Sequence, residues 1–361
     1  MERVAFYAPM KPPTHPVPSG DREMARALLL ALGGDGPVEL VSDLRIYDGK
    51  GDAARQADLQ SQATREAMRL CERLAGGAVT AWVTYHNYYK APDLVGPPVC
   101  RALGLPYVLV ESSRARKRLT GDWAAFARAA ADACDAADAV CFLTEHAREA
   151  LERDRPARQA LIHLRPFLPL AKLPPPVPRP DEAPMLAAGM MRPGDKLASY
   201  RLLAGALALL DHPGWRLEIA GDGPARAEVE ALVAPFQGRV TFLGQLDAAG
   251  LDAAYARAGL FLWPGVNEAY GMVYLEAQAH GLPVVAQDRP GLRDVLLPGN
   301  YPAPADGAKA LAAEVLRLLD SADERQALGR RVRSHIGQHH LRPAARDTLW
   351  SALRPLLERN A

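Results

Sequence analysis

Prolines fill eight of the twenty positions from Arg165 to Pro184, RPFLPLAKLPPPVPRPDEAP. Each fixes φ and removes a backbone donor, so the stretch can be neither helix nor central strand and reads as an extended linker. It divides a chain of 361 residues, about twice the size of a typical single domain. On both sides short apolar runs alternate with longer segments of helical periodicity, the pattern of parallel α/β units. Before the linker, strands are expected at Arg3–Ala8, Val38–Ser42, Thr80–Thr84, Tyr107–Val110 and Asp138–Leu143, with helices over Asp21–Leu32 and Asp58–Leu74. Beyond it, strands are expected at Met185–Ala188, Arg216–Ala220, Val240–Leu243, Leu260–Trp263 and Pro283–Ala286, and the chain is helical from Ala308 almost to its end.

Composition narrows the function classes. Hydrophobic residues make up 49% and charged residues 24%, which is ordinary for soluble globular proteins. A net charge of +1 provides no general basic field, so nucleic acid is not an expected partner. Cys71, Cys100, Cys134 and Cys141 are scattered without a CxxC, which argues against zinc or a disulfide framework and for a reducing compartment. The opening MERVAFYAPMKPPTHP has no signal-peptide core, and apolar stretches such as Ala206 to Leu210 fall far short of the ~20 residues that span a bilayer. A cytoplasmic protein is expected. His335, His339 and His340 have helical ligand spacing but lack the carboxylate of an HExxH frame, so no metal is expected there.

The most informative segment is Leu260 to Ala286, LFLWPGVNEAYGMVYLEAQAHGLPVVA. A hydrophobic strand ends at Trp263, a loop carries Pro264, Gly265, Asn267 and Glu268, and Gly271 opens a helix that stops at Gly281. The amides near Gly271, Met272 and Val273 form a helix N-terminus, whose partial positive charge suits a diphosphate. Glu268 in the loop and Glu276 in the helix can face the same ligand, and ionised carboxylates make strong hydrogen bonds to sugar or ribose hydroxyls. Glu276 lies between Leu275 and Ala277 in a very apolar helix, where an unpaired charge is costly and therefore marks a site.

With two glutamates separated by seven residues, an alanine-rich helix and then GLPVVA, the chain resembles the GT-B retaining glycosyltransferases of family 4, glycosyl transferases group 1. The similarity is strong over about Met185 to Asp294 and diffuse over the first half. It implies two Rossmann-like domains facing across a cleft: an acceptor domain over 1–165, the linker at 166–184, a donor domain over 185–340, and a C-terminal helix at 341–361 packing back on the first. It further implies that Glu268 approaches the transferred sugar, that Glu276 binds the ribose, and that the Met272 and Val273 amides hold the diphosphate, with Tyr270 and Gly271 also among the donor-binding residues. In GMMRPGDK, Lys196 is implied to stabilise the departing charge, with Arg192 standing in for the family arginine where this chain has Met190. By the same resemblance Gly221 and Gly223 are implied to form a turn beside the nucleotide, Leu243 and Gly244 to belong to the segment that reads the base, and Asp288 to Asp294 to be a second sugar-facing loop.

In the first half, Gly20 is implied to lie near the leaving diphosphate. The cluster Tyr85-His86-Asn87-Tyr88-Tyr89 suits a polar acceptor, Glu111 stands close to where many relatives place a histidine, and the run Arg114 to Arg118 can meet an acidic acceptor or a membrane surface. The implied reaction needs no cofactor or site metal. Its donor is a nucleotide-diphosphate sugar, UDP-sugar before GDP- or ADP-sugar, and its acceptor a small molecule, a glycan or a lipid-linked species at the inner face of a membrane. The alternatives are a sugar-nucleotide epimerase or hydrolase, or a catalytically silent binding protein. A nicotinamide dehydrogenase is disfavoured, because Arg226 stands where a GxGxxG fingerprint needs a small residue.

Overall fold

The computed structural model describes residues 3–17, 19–34 and 36–360. The chain divides into one unit of Met1–Pro169 with Arg342–Ala361 and a second of Leu170–Leu341.

In the first unit the strands are β1 (Val4–Tyr7), β2 (Val38–Ser42), β3 (Ala81–Asn87), β4 (Tyr107–Ser112), β5 (Ala139–Phe142) and β6 (Ala160–His163). The helices are α1 (Gly20–Leu32), α2 (Ala53–Leu74), α3 (Gly96–Leu103), α4 (Ala124–Ala136) and α5 (Glu145–Asp154). The six strands pair in parallel in the order β2-β1-β3-β4-β5-β6. A parallel sheet covered on both faces demands continuous apolar strands, and VAFY of β1 is buried throughout.

The second unit contains β7 (Met185–Ala188), α6 (Asp195–Leu207), β8 (Leu217–Ala220), α7 (Arg226–Val233), β9 (Val240–Gly244), α8 (Ala248–Arg257), β10 (Leu260–Leu262), α9 (Met272–Ala279), β11 (Val284–Val285), α10 (Gly307–Leu319) and α11 (Ala322–His339). Its strands are parallel in the order β11-β10-β7-β8-β9. The last helix, α12 (Arg342–Asn360), belongs to the first unit. There the buried Trp350 donates its indole N–H to the Leu32 carbonyl at the end of α1, at 3.2 Å.

Sequence and structure differ at several places. Strand β6 has no counterpart in the expected set; its four residues are only partly covered, so no continuous apolar run marks it. Strands β3 and β4 run on past Thr84 and Val110, taking in His86 and Glu111 at positive φ (66° and 58°).

The proline-dense stretch is not a free tether over its whole length, because residues from Leu170 onward pack with the second unit. Arg179 donates to the carbonyls of Ala256 and His280, Arg325 to that of Asp181, and Arg333 to those of Ala279 and Pro174. Prolines exclude the stretch from helix and sheet but leave its carbonyls open to such donors. All four cysteines are unpaired thiols, three of them buried. No described helix is long and apolar enough to cross a membrane.

Candidate functional site

In the second sheet β7 and β10 are neighbours, but their connections leave in opposite directions, β7 towards β8 and β10 towards β11. The loops beyond their carboxyl ends therefore diverge, and open α/β sheets take ligands at such a switch point. Lys196, in the first turn of α6 after β7, reaches across it to Glu268, in the loop after β10, and the two form a close ion pair. The Glu268 carboxylate also accepts from the Trp263 indole N–H at 3.1 Å, and the Lys196 ammonium lies 5.5 Å from the Trp263 ring centroid. Two further contacts bind the same loop to α6: Val266 N donates to Ser199 Oγ at 3.0 Å, and Asn267 Nδ2 to Asp195 Oδ1 at 2.9 Å. Glu268 is thus oriented from three sides.

The loop after β11 presses on this backbone from another side. At Gly291 an added Cβ would fall 1.9 Å from the Ala269 carbonyl oxygen and 2.6 Å from that of Glu268. Gly221, at φ 136°, has a similar cause, since its Cβ would lie 2.0 Å from the Gly189 carbonyl. Gly223 likewise abuts the Met191 carbonyl. The GDGP turn therefore has glycines because the β8–α7 turn packs directly on the β7–α6 loop.

Glu276 stands apart from Glu268 and has its own partner, the Tyr255 hydroxyl of α8, at 2.9 Å. Burial raises its carboxyl above the ordinary value, and the Tyr255 hydrogen bond only partly opposes this. A raised folded pKa means that the stabilising contribution is present below the unfolded value and is lost as pH rises through the folded one. Ionised Glu276 is therefore a net cost near neutrality. Glu276→Gln is expected to raise Tm by a few degrees at pH 7 and hardly at pH 4. A fall in Tm at pH 7 would contradict this account.

Gly271 caps α9 at φ 67° without a side-chain hydrogen bond, leaving the first-turn amides of Met272 and Val273 without an intrahelical acceptor. Tyr270 is half-buried just before it. Beyond β7, β8 and β9 lies a hollow of about 290 Å³ lined by Gly189, Met190, Gly221, Gln245, Leu246 and Val273. Leu243 and Gly244 do not line it. They remain in β9, where the Gly244 carbonyl accepts from Gly221 N, and the two residues that follow them in the chain face the space instead. Arg192 is exposed and carries no ion pair among the described residues. Arg289, within the Asp288–Asp294 loop but not singled out there from the sequence, is half-buried with its Nε unpartnered and its Nη2 on Gln287.

The first sheet has its own switch point, between β1 and β3. There His86 Nδ1 lies 3.1 Å from Asp21 Oδ1 in the first turn of α1. Burial disfavours the imidazolium, but the Glu111 and Asp21 carboxylates outweigh it and hold His86 above its usual pKa. Burial raises Glu111 in turn, and its Oε2 is buried without a hydrogen bond. Gly20 opens α1, and nothing lies within 4 Å of where its Cβ would be.

Two residues expected to meet an acceptor are turned inward. Asn87 is fully buried, donating to Ser112 Oγ and the Ala130 carbonyl and accepting from Asp93 N, all at 2.9 Å; its amide ties β3 to β4 and α4. Arg114 is buried against Asp135 at 2.5 Å. Among the described residues no group of His, Cys, Asp or Glu could hold a metal ion. His335, His339 and His340 pack as rings about 5 Å apart.

Residues 185–321 match the family model described as glycosyl transferases group 1. The chain is 35% identical over 131 residues to the exopolysaccharide phosphotransferase SCO2592 of Streptomyces coelicolor, covering 35% of this chain and 14% of that protein. It is 31% identical over 139 residues to sulfoquinovosyl transferase SQD2 of Arabidopsis thaliana, covering 37% of this chain and 26% of the transferase. The chain thus spans about a quarter or less of the length of either relative. Among solved structures, Anabaena HepE in complex with UDP and glucose superposes with a TM-score of 0.68 at 15% identity, over 98% of this chain and all of that one. The fold is GT-B. The GT-B architecture accounts for two Rossmann-like parallel sheets in one chain, each with a switch point of its own.

Proposed function

We propose that the protein is a retaining glycosyltransferase that moves a sugar from a nucleotide-diphosphate donor to a hydroxyl acceptor. The observation that carries this reading is the Lys196–Glu268–Trp263 constellation at the switch point of the second sheet. An ammonium beside a fixed carboxylate suits the chemistry: the cation neutralises a diphosphate as its bond to the sugar C1 breaks, and the carboxylate orients the sugar hydroxyls. The C1–O electron pair leaves with the diphosphate. The acceptor oxygen bonds to C1 on the same face and passes its proton to the departing diphosphate oxygen. Glu276 takes the ribose, and the Met272 and Val273 amides face the diphosphate with the positive end of α9.

Lys196 and that helix end supply the positive charge a site metal would otherwise bring, so EDTA is expected to leave transfer unchanged. The hollow beside Gln245 and Leu246 takes the base, with UDP the first nucleotide to test. The family match over the second unit and the GT-B fold support the reading.

The test is thermal shift against UDP, GDP, ADP and their sugars. At about a hundred times its dissociation constant the right nucleotide adds roughly 2.7 kcal/mol. Stabilisation by one nucleotide series, absent in Glu276→Ala, supports the assignment; no shift with any nucleotide overturns it. Analysis of the product's anomeric configuration then tests retention.

A further inference from the structure

The basic run after β4 separates into different fates. Arg114 is buried on Asp135 and Arg116 is paired with Asp154. Among the described residues Arg118 has no carboxylate partner; its guanidinium lies 5.2 Å from the ring centroids of both Tyr89 and Trp123. Lys90 approaches the same two rings, at 5.7 and 5.6 Å, and it too has no ion pair among the described residues. Tyr89 and Trp123 meet edge-on at 5.8 Å, and Tyr88 joins them at 5.5 Å. Ring faces attract cations without cancelling their charge. Two positive groups are therefore held beside one aromatic pair with no described carboxylate paired to either, and an anion would relieve their repulsion.

The platform is firmly built. The Lys90 carbonyl accepts from Asp48 N at 2.9 Å, and the Trp123 indole donates to the Asp48 carbonyl at 3.3 Å. The buried Asp48 carboxylate is fixed in turn by the amides of Lys50, Gly51 and Asp52. Loops following β2, β3 and β4 thus converge at the carboxyl edge of the first sheet, where α/β sheets take ligands. The Tyr88 ring also lies 4.8 Å from that of His86, so the Asp21–His86 pair adjoins the platform and offers polar atoms to a hydroxyl.

We propose that this platform binds a saccharide carrying an anionic group, phosphate or carboxylate, and that the acceptor of the reaction is of this class. The assignment of an acceptor rests on the transferase reading above. The aromatic rings cover the sugar's apolar face while Lys90 and Arg118 hold its charge.

Calorimetric titration of the full chain with glucose 1-phosphate, glucuronate and methyl glucoside tests this. Both anionic sugars, or one of them, should bind more tightly than the neutral glucoside, with the affinity falling as salt rises. In Lys90→Gln/Arg118→Gln the anionic sugar should lose about tenfold or more in affinity, equivalent to roughly 1.4 kcal/mol. Glu276→Gln should leave that affinity unchanged, which places the binding outside the donor site. The nucleotide thermal shift of the double variant should be intact, which shows that the protein is folded and tests the donor reading separately. Equal affinity for methyl glucoside, or no effect of the double variant, overturns the proposal. So does binding to phosphatidylglycerol vesicles that the double variant loses when no anionic sugar binds, because the platform would then be a membrane contact.

Discussion

Lys196→Ala is expected to lower sugar transfer by about 10²–10³-fold while leaving the protein folded, the size of loss seen when one preorganised stabiliser of a developing charge is removed. Lys196 is partly exposed (30%) and Glu268 less so (13%), so the substitution leaves a carboxylate that still accepts from Trp263. Its cost to stability is therefore modest, well below that of breaking a fully buried pair. The loss should fall mainly on kcat, because the diphosphate gains its additional negative charge only as the bond breaks. Glu268→Gln, which retains an acceptor for the Trp263 indole, should impair transfer as well. Steady-state kinetics beside a melting curve decides the matter. A Lys196→Ala rate within about tenfold of the parent, well short of the loss one such stabiliser causes, would remove this residue from the chemistry.

Trp350→Ala is expected to cost about 3–5 kcal/mol, the range for emptying a buried tryptophan site. Such a loss is a large fraction of the total stability of an ordinary domain. Trp350 is buried in α12, and its indole satisfies the Leu32 carbonyl at the end of α1. The substitution removes both the packing and the donor. Because α12 packs with the first unit, hydrogen exchange should accelerate across the first sheet and much less in β7–β11. Uniform acceleration over both units, or an unchanged denaturation midpoint, would contradict this account of the helix.

Much of the fold was legible in the sequence. Short apolar strands such as VAFY and LFL, and helices such as Asp21–Leu32, carry their periodicity locally, and local periodicity survives without knowledge of neighbours. Ends were less legible. β3 and β4 run on into polar residues, and β6, with no fully buried residue, lacks the apolar run that identifies a strand.

The candidate site was half legible. Glu268, Glu276 and Lys196 stand out by type and spacing, whereas Trp263, Tyr255 and Ser199 are marked as part of the site only by their partners in the fold. Asn87 and Arg114 had the right chemistry for a ligand. Yet the Asn87 amide serves the interior and the Arg114 guanidinium is taken up by Asp135, and which way a polar side chain turns is not encoded in its own segment.

By itself the sequence determined two parallel α/β sheets, the proline-rich passage between them, and a carboxylate loop followed by an uncapped helix start. All of these follow from residue type and short-range spacing. Only the tertiary structure decided the strand order. That order puts β7 beside β10 and β1 beside β3, and so brings Lys196 to Glu268 and Asp21 to His86. It likewise brings Lys90 and Arg118, from different loops, to the same two rings. The physical reason is that each crossover may pass to either side of its strand; packing of the whole sheet settles the choice, and no local signal carries it.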